Sequence, residues 1–111
     1  MEKTITLDDL KAYIGQLAPD DVVGECASFY NCLIAKTAKW KYPHHTATVR
    51  FDNTSVELNK QNTLVQDFYI INLSEDVTLT ATRFDDWPGT REDRWEPTKA
   101  ELMVYMPELF E

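Results

Sequence analysis

The chain has 111 residues, a formal net charge of −8 and 43% apolar residues. This length fits one domain, residues 1–111, and is enough to build a core without metal ions or disulfides. No run approaches the ~20 apolar residues of a membrane span, and the first residues do not resemble a signal peptide. The composition therefore excludes a membrane protein and predicts a soluble cytoplasmic domain.

The acidic charge is unevenly distributed. Residues 36–60 carry a net positive charge, mainly from four side chains: Lys36, Lys39, Lys41 and Arg50. The remainder of the chain is strongly acidic, which disfavours direct contact with nucleic-acid phosphates. Three interpretations remain open: the acids serve solubility, they mimic a nucleic acid, or the local basic patch seeks phosphate.

The first half of the chain predicts two helices. Thr6 and Asp9 have the spacing of a capping box and open a helix over 6–17. A second, more buried helix is predicted over 26–40, and Pro43 follows it. Its apolar face is expected to contain Phe29, Tyr30, Leu33 and Trp40.

The middle of the chain predicts a β-hairpin over 46–58, with its turn at Asp52-Asn53. Residues 63–73 fit either a helix or a buried strand, and the spacing of their apolar residues favours the helix. Residues 77–84 fit either element as well, and alternation with threonines favours a strand. The small sheet is therefore expected to have between two and four strands.

The last helix opens at a second capping box, Thr98 to Glu101, and Pro107 ends or kinks it. Helices at both ends of the chain and a hairpin between them predict an α+β fold. In this fold, three or four helices pack on a small antiparallel sheet containing the 46–58 hairpin.

The residues most often used in catalysis do not form a known motif. Cys26 and Cys32 are expected to be buried structural thiols, because the spacing to His44 and His45 matches no common zinc pattern. A cysteine nucleophile activated by one of these histidines remains an alternative. We therefore predict no catalytic residue, cofactor or metal ligand.

The most unusual segment runs from residue 85 to 96, where two tryptophans enclose a turn and several charges. Tryptophan and arginine are preferred anchors of protein interfaces. Four residues of this loop are therefore candidates for binding a protein partner: Trp87, Arg91, Arg94 and Trp95. In the alternative, the tryptophans pack on the core. An apolar cluster near the C-terminus is a second candidate surface, formed by Tyr105, Met106, Leu109 and Phe110.

Residues 22–25, 31–35 and the 46–58 hairpin together resemble a group of small uncharacterised bacterial and phage-borne proteins. In that group, a Val-Val-Gly turn precedes a Cys-Pro-Leu-Ala-like helix and a hairpin. This chain has Leu33 in place of the proline, and residues 76–96 look like an insertion. The resemblance implies an α+β fold and an accessory-gene origin, and it carries no function.

These observations favour a small cytoplasmic accessory protein that binds another protein or a second copy of itself. Two other classes remain open. The first is an acidic nucleic-acid mimic that inhibits a DNA- or RNA-binding enzyme, and it predicts salt-sensitive binding. The second is a small-ligand-binding domain or enzyme, with a pocket between the helices and the sheet.

Overall fold

The computed structural model describes residues 3–26, 28–50, 52–60, 68–87 and 96–111. It confirms the α+β prediction, with four α-helices and a three-stranded antiparallel sheet. In chain order the elements are α1 (Leu7–Gly15), α2 (Leu33–Lys41), β1 (His45–Val49), β2 (Ser55–Lys60), β3 (Phe68–Asn72), α3 (Glu75–Asp85), α4 (Lys99–Tyr105) and a 3₁₀ helix (Pro107–Phe110).

The sheet has the order β1-β2-β3, and both pairings are antiparallel. The β1–β2 hairpin confirms the predicted hairpin, with Val49 opposite Val56. The turn is closed because Arg50 N–H donates to Ser55 O, and Asn53 N–H donates to Arg50 O. Asn53 has a φ of 59°, in the left-handed region that asparagine tolerates better than most residues.

One face of the sheet is covered by helices. Residues at alternate positions of the strands point to this face and join one core with the helices. The fully buried large side chains of the core are Leu10, Ile14, Val23, Leu33, Ile34, Val49, Val56, Leu58, Val77, Phe84, Leu102 and Met106. Helix α2 packs directly on β1 and β2, and α1 packs on α2.

Helix α1 begins at the predicted capping box. Thr6 Oγ1 accepts from Asp9 N–H, and the Asp9 carboxylate accepts from Thr6 N–H. The same carboxylate pairs with Lys41 Nζ at 2.7 Å, which links the start of α1 to the end of α2. Burial raises the pKa of Asp9, but the Lys41 and Thr6 hydrogen bonds outweigh it and leave the pKa below its usual value.

This ion pair makes part of the stability dependent on pH. The folded pKa of Asp9 lies below its unfolded value, so the stabilisation is present above about pH 4 and is lost as the pH falls through the folded pKa. We expect Lys41→Met to lower the free energy of unfolding by about 1 kcal/mol at neutral pH. Urea titrations should show a smaller difference in the free energy of unfolding between Lys41→Met and the wild type at acidic pH than at neutral pH. Lys36→Met removes the same charge from the same helix and should show no such pH dependence.

The second helix is shorter than predicted. It begins at Leu33, and Cys32 is its N-cap residue. Before it, Ser28 Oγ accepts from the backbone N–H groups of Tyr30 and Asn31, and these bonds hold a turn. The prediction of helix was therefore wrong over residues 28–32, and Phe29 and Tyr30, predicted to be on the buried face, are exposed.

The structure reverses two predictions in the middle of the chain. Over 68–72 the favoured helix was wrong, because this segment is strand β3, paired with β2. Residues 63–67 lie outside the described residues. Over 77–84 the favoured strand was also wrong, because helix α3 buries Val77, Ala81 and Phe84 on one face.

Helix α4 begins at the predicted capping box of Thr98 and Glu101. Residues 19–23 run beside its start, where Val23 N–H donates to Pro97 O and Lys99 N–H donates to Asp21 O. Pro107 begins the 3₁₀ helix, which packs against α1. None of the described helices combines the length and the apolar character that a membrane span requires.

Candidate functional site

Trp87, the first residue of the predicted interaction loop, belongs to the core. It is 8% exposed, and its ring lies between two aromatic neighbours. The ring centroid is 6.0 Å from that of Phe84, in an edge arrangement, and 4.4 Å from that of Tyr105. The other three candidates of this loop, Arg91, Arg94 and Trp95, lie outside the described residues.

The C-terminal candidates divide into two pairs. Met106 and Leu109 are buried, and their side chains pack in the core of this chain. Tyr105 and Phe110 are half-buried beside it. This division follows from the backbone, because Pro107 replaces the α-helix with a 3₁₀ turn that directs Leu109 inward. Of this set, only Tyr105 and Phe110 present side-chain surface to a partner.

A groove of about 480 Å³ lies where α4 meets the end of α3. Its described lining residues are Trp87, Glu101, Val104 and Tyr105. Val104 is 85% exposed, the largest exposed fraction among the large apolar side chains that the structure describes. Met103 next to it is exposed as well. Single exposed apolar side chains are common, but apolar side chains exposed side by side, as Met103 and Val104 are, form the kind of patch that marks contact surfaces.

The aromatic wall of the groove is held in place. Tyr105 Oη donates to Arg83 O at 3.0 Å, which ties α4 to α3. The Arg83 guanidinium lies 5.9 Å from the Tyr105 ring centroid and also pairs with Glu108. Because these contacts fix the ring before binding, a ligand in the groove would lose little free energy in ordering it.

Among the described lining residues of the groove, Glu101 is the one that carries a charge. Its Oε1 accepts from Thr98 N–H at 3.0 Å as part of the capping box. A carboxylate has further acceptor positions beyond this bond. The groove therefore combines apolar and aromatic walls with a negative edge, in a chain that is already acidic.

Sequence reasoning missed Val104, Met103 and Glu101 as site residues. A signal for them was present in the predicted last helix. The capping box sets its first turn, and Leu102 and Met106 then mark its buried face at a spacing of four. Met103 and Val104 point away from that face, so two apolar residues on the solvent side were detectable from the helical period.

A second cleft, of about 290 Å³, also lies near the C-terminal end of α3. Its described lining residues are Ser28, Phe29, Val49, Arg50, Asn53, Asp85 and Asp86. Asn53 Nδ2 donates to Asp85 Oδ2 at 3.1 Å, and Arg50 is 3.5 Å from Asp52. Two of the three charged lining residues, Arg50 and Asp85, thus have partners within the chain.

The two cysteines are buried thiols. Cys26 Sγ donates to Phe84 O at 3.1 Å, and Cys32 Sγ accepts from Ala35 N–H at the start of α2. Burial raises the pKa of Cys32 to about 11, although the first-turn N–H groups act in the opposite direction. Since a thiolate is the reactive form, this geometry does not favour a Cys32 nucleophile at neutral pH.

Three side chains of the basic segment contact different parts of the chain: Lys39, Lys41 and His45. The His45 ring lies between those of Tyr42 and Tyr69, and His44 is exposed. Lys39 Nζ donates to Tyr30 O, and Lys41 pairs with Asp9. In the described part of the chain, no three His, Cys, Asp or Glu side chains gather as metal ligands.

The groove beside Trp87 and Val104 is therefore the site that geometry favours, and it adjoins the loop that the sequence singled out. Comparison of the chain with protein-family models, curated proteins and solved structures finds no match.

Proposed function

We propose that this chain is a protein-interaction domain that binds a partner polypeptide in the groove beside Trp87 and Val104. The observation that carries the proposal is the exposure of Val104, 85%, at a groove walled by Trp87 and Tyr105. Leaving an aliphatic side chain in water forgoes about 1.5–3 kcal/mol of burial. A partner that covers Val104 would recover part of this free energy.

The lining indicates the chemistry of the partner. An apolar side chain would pack on the two rings, and a lysine or arginine next to it would lie near Glu101. Such a segment also suits the net charge of −8, which attracts a basic partner at long range. The proposed ligand is a polypeptide segment with an apolar residue flanked by basic ones.

The location and origin of the protein are also proposals. Cys26 and Cys32 are both thiols, which supports the cytoplasm. The resemblance of residues 22–25, 31–35 and the 46–58 hairpin to phage-borne proteins supports an accessory role in a phage or mobile element.

Site-specific photo-crosslinking tests the proposed site. A benzophenone amino acid at position 104 should form an adduct with the partner in the cells that produce the protein. Position 79 is the matched control, because Leu79 is also an apolar helix residue and is 57% exposed. Equal crosslinking at both positions would contradict the proposal.

Two further measurements separate this function from nucleic-acid mimicry. Val104→Asp should weaken partner binding by about 10-fold or more without changing the melting temperature, because the side chain is outside the core. Binding through the groove should weaken in concentrated salt without disappearing, because salt screens the contact with Glu101 but not the apolar contacts with Val104 and the rings. Binding that disappears in salt and is unaffected by Val104→Asp would instead favour an acidic mimic.

A further inference from the structure

Strand β3 lies at the edge of the sheet, and its backbone groups alternate in direction. Leu73 N–H donates to Thr54 O, and Ile71 lies opposite Val56. In an antiparallel ladder, alternate residues bond to the same neighbour. The backbone N–H and C=O groups of Phe68, Ile70 and Asn72 therefore point away from β2, to a side where no described strand pairs.

The described strand at this edge lacks charged residues and prolines, two of the usual features that prevent strand pairing. Natural edge strands are commonly protected by charged residues, prolines or bulges. Charged residues make up 27% of the chain, yet β3 has the sequence Phe-Tyr-Ile-Ile-Asn, without a charge or a proline. Ile70 is 59% exposed on the face of the sheet away from the helices. The strand is thus suited to accept another strand.

We infer that a second copy of this chain pairs with β3 in antiparallel orientation, across a twofold axis at Ile70. Ile70 would lie opposite Ile70 of the partner subunit, and Phe68 opposite Asn72 of the partner subunit. Each of these pairs joins residues whose backbone groups point outward, so both N–H···O=C bonds form. The two sheets would become one continuous sheet, with the helices of both copies on the same face.

The charges at the two ends of β3 favour this orientation. Lys3 Nζ lies 4.7 Å from the Tyr69 ring centroid near the start of β3, and Lys60 ends the neighbouring strand β2. Glu75 and Asp76 follow the other end, at the start of α3. Antiparallel pairing brings the positive end of one copy to the negative end of the other. In the sequence, Asp67 adds one opposing charge before β3; it lies outside the described residues.

The oligomeric state tests the inference directly. At about 0.1 mM protein, light scattering should give twice the chain mass, since this concentration exceeds a micromolar Kd. Ile70→Lys should halve the mass, because like charges would face each other across the axis. Leu79→Lys adds the same charge at another exposed apolar position and should leave the dimer intact. A monomeric wild type would overturn the inference, as would a dimer that survives Ile70→Lys.

Two cysteine variants test the register. Across the axis, the Cα atoms of an outward-pointing pair are about 5.5 Å apart, a distance that a disulfide spans. Ile70→Cys should therefore crosslink to itself under mild oxidation. Asn72→Cys should not, because the two copies of position 72 would be about 14 Å apart. Equal crosslinking of both variants would overturn the register.

Ile70→Pro tests the same pairing through the backbone. The N–H group that proline removes points away from β2, so the bonds between β2 and β3 stay intact and the variant should be a monomer.

Discussion

Gly24→Ala is expected to destabilise the protein by about 3 kcal/mol or more, at the upper end of overpacking effects. A Cβ at this position would lie 2.8 Å from Leu33 N and 2.9 Å from the Cys32 carbonyl carbon. Both are backbone atoms at the start of α2, so neither can move aside as a flexible side chain would. The neighbouring bond from Glu25 N–H to Asn31 O, 2.8 Å long, keeps the two segments in contact.

Gly15→Ala is the matched control for this variant. Gly15 ends α1, and a Cβ there would meet nothing within 4 Å. Alanine has the higher helix propensity, so we expect a gain of up to about 1 kcal/mol. Urea denaturation of both variants measures the difference. Equal stabilities would contradict the close contact between residue 24 and the start of α2.

Phe84→Ala is expected to lower the free energy of unfolding by about 3–5 kcal/mol. Phe84 is fully buried on the inner face of α3 and packs edge-on against Trp87. Its truncation leaves a cavity and removes support from the ring that forms one wall of the groove. We therefore expect weaker partner binding as well as lower stability.

Leu79→Ala provides the comparison on the same helix. Leu79 is exposed, so its truncation should change the stability by less than about 0.5 kcal/mol. Thermal unfolding followed by circular dichroism would give both values. A strand over 77–84 would instead place residues 77, 79 and 81 on one face, and Leu79→Ala would then be costly.

The errors in the middle of the chain have a physical explanation in α3. Threonines alternate with apolar residues there, a pattern typical of a strand. In the helix, Thr80 Oγ1 donates to Asp76 O and Thr82 Oγ1 donates to Thr78 O, so these hydroxyls are satisfied within their own turns. Tertiary burial of Val77, Ala81 and Phe84 then selects the helix.

The site was predictable only in part. The unusual loop beginning at Trp87 directed attention to the end of α3 where the proposed groove lies, because paired tryptophans and arginines stand out in a sequence. The identity of the groove residues depended on which face of α4 is buried and on the contact of Tyr105 with Trp87. Trp87 and Tyr105 belong to different chain segments, and no local sequence pattern predicts how those segments lie relative to each other.

The sequence by itself determined the features that depend on neighbouring residues. The capping boxes at Thr6 and Thr98 start helices because their hydrogen bonds span three residues. The turn at Asn53 likewise closes the hairpin locally.

Only the tertiary structure decided that residues 68–72 form a strand, that α2 starts at Leu33 and that Trp87 packs against Tyr105. These outcomes depend on free energies of burial and strand pairing between distant segments, which exceed the small differences in local propensity.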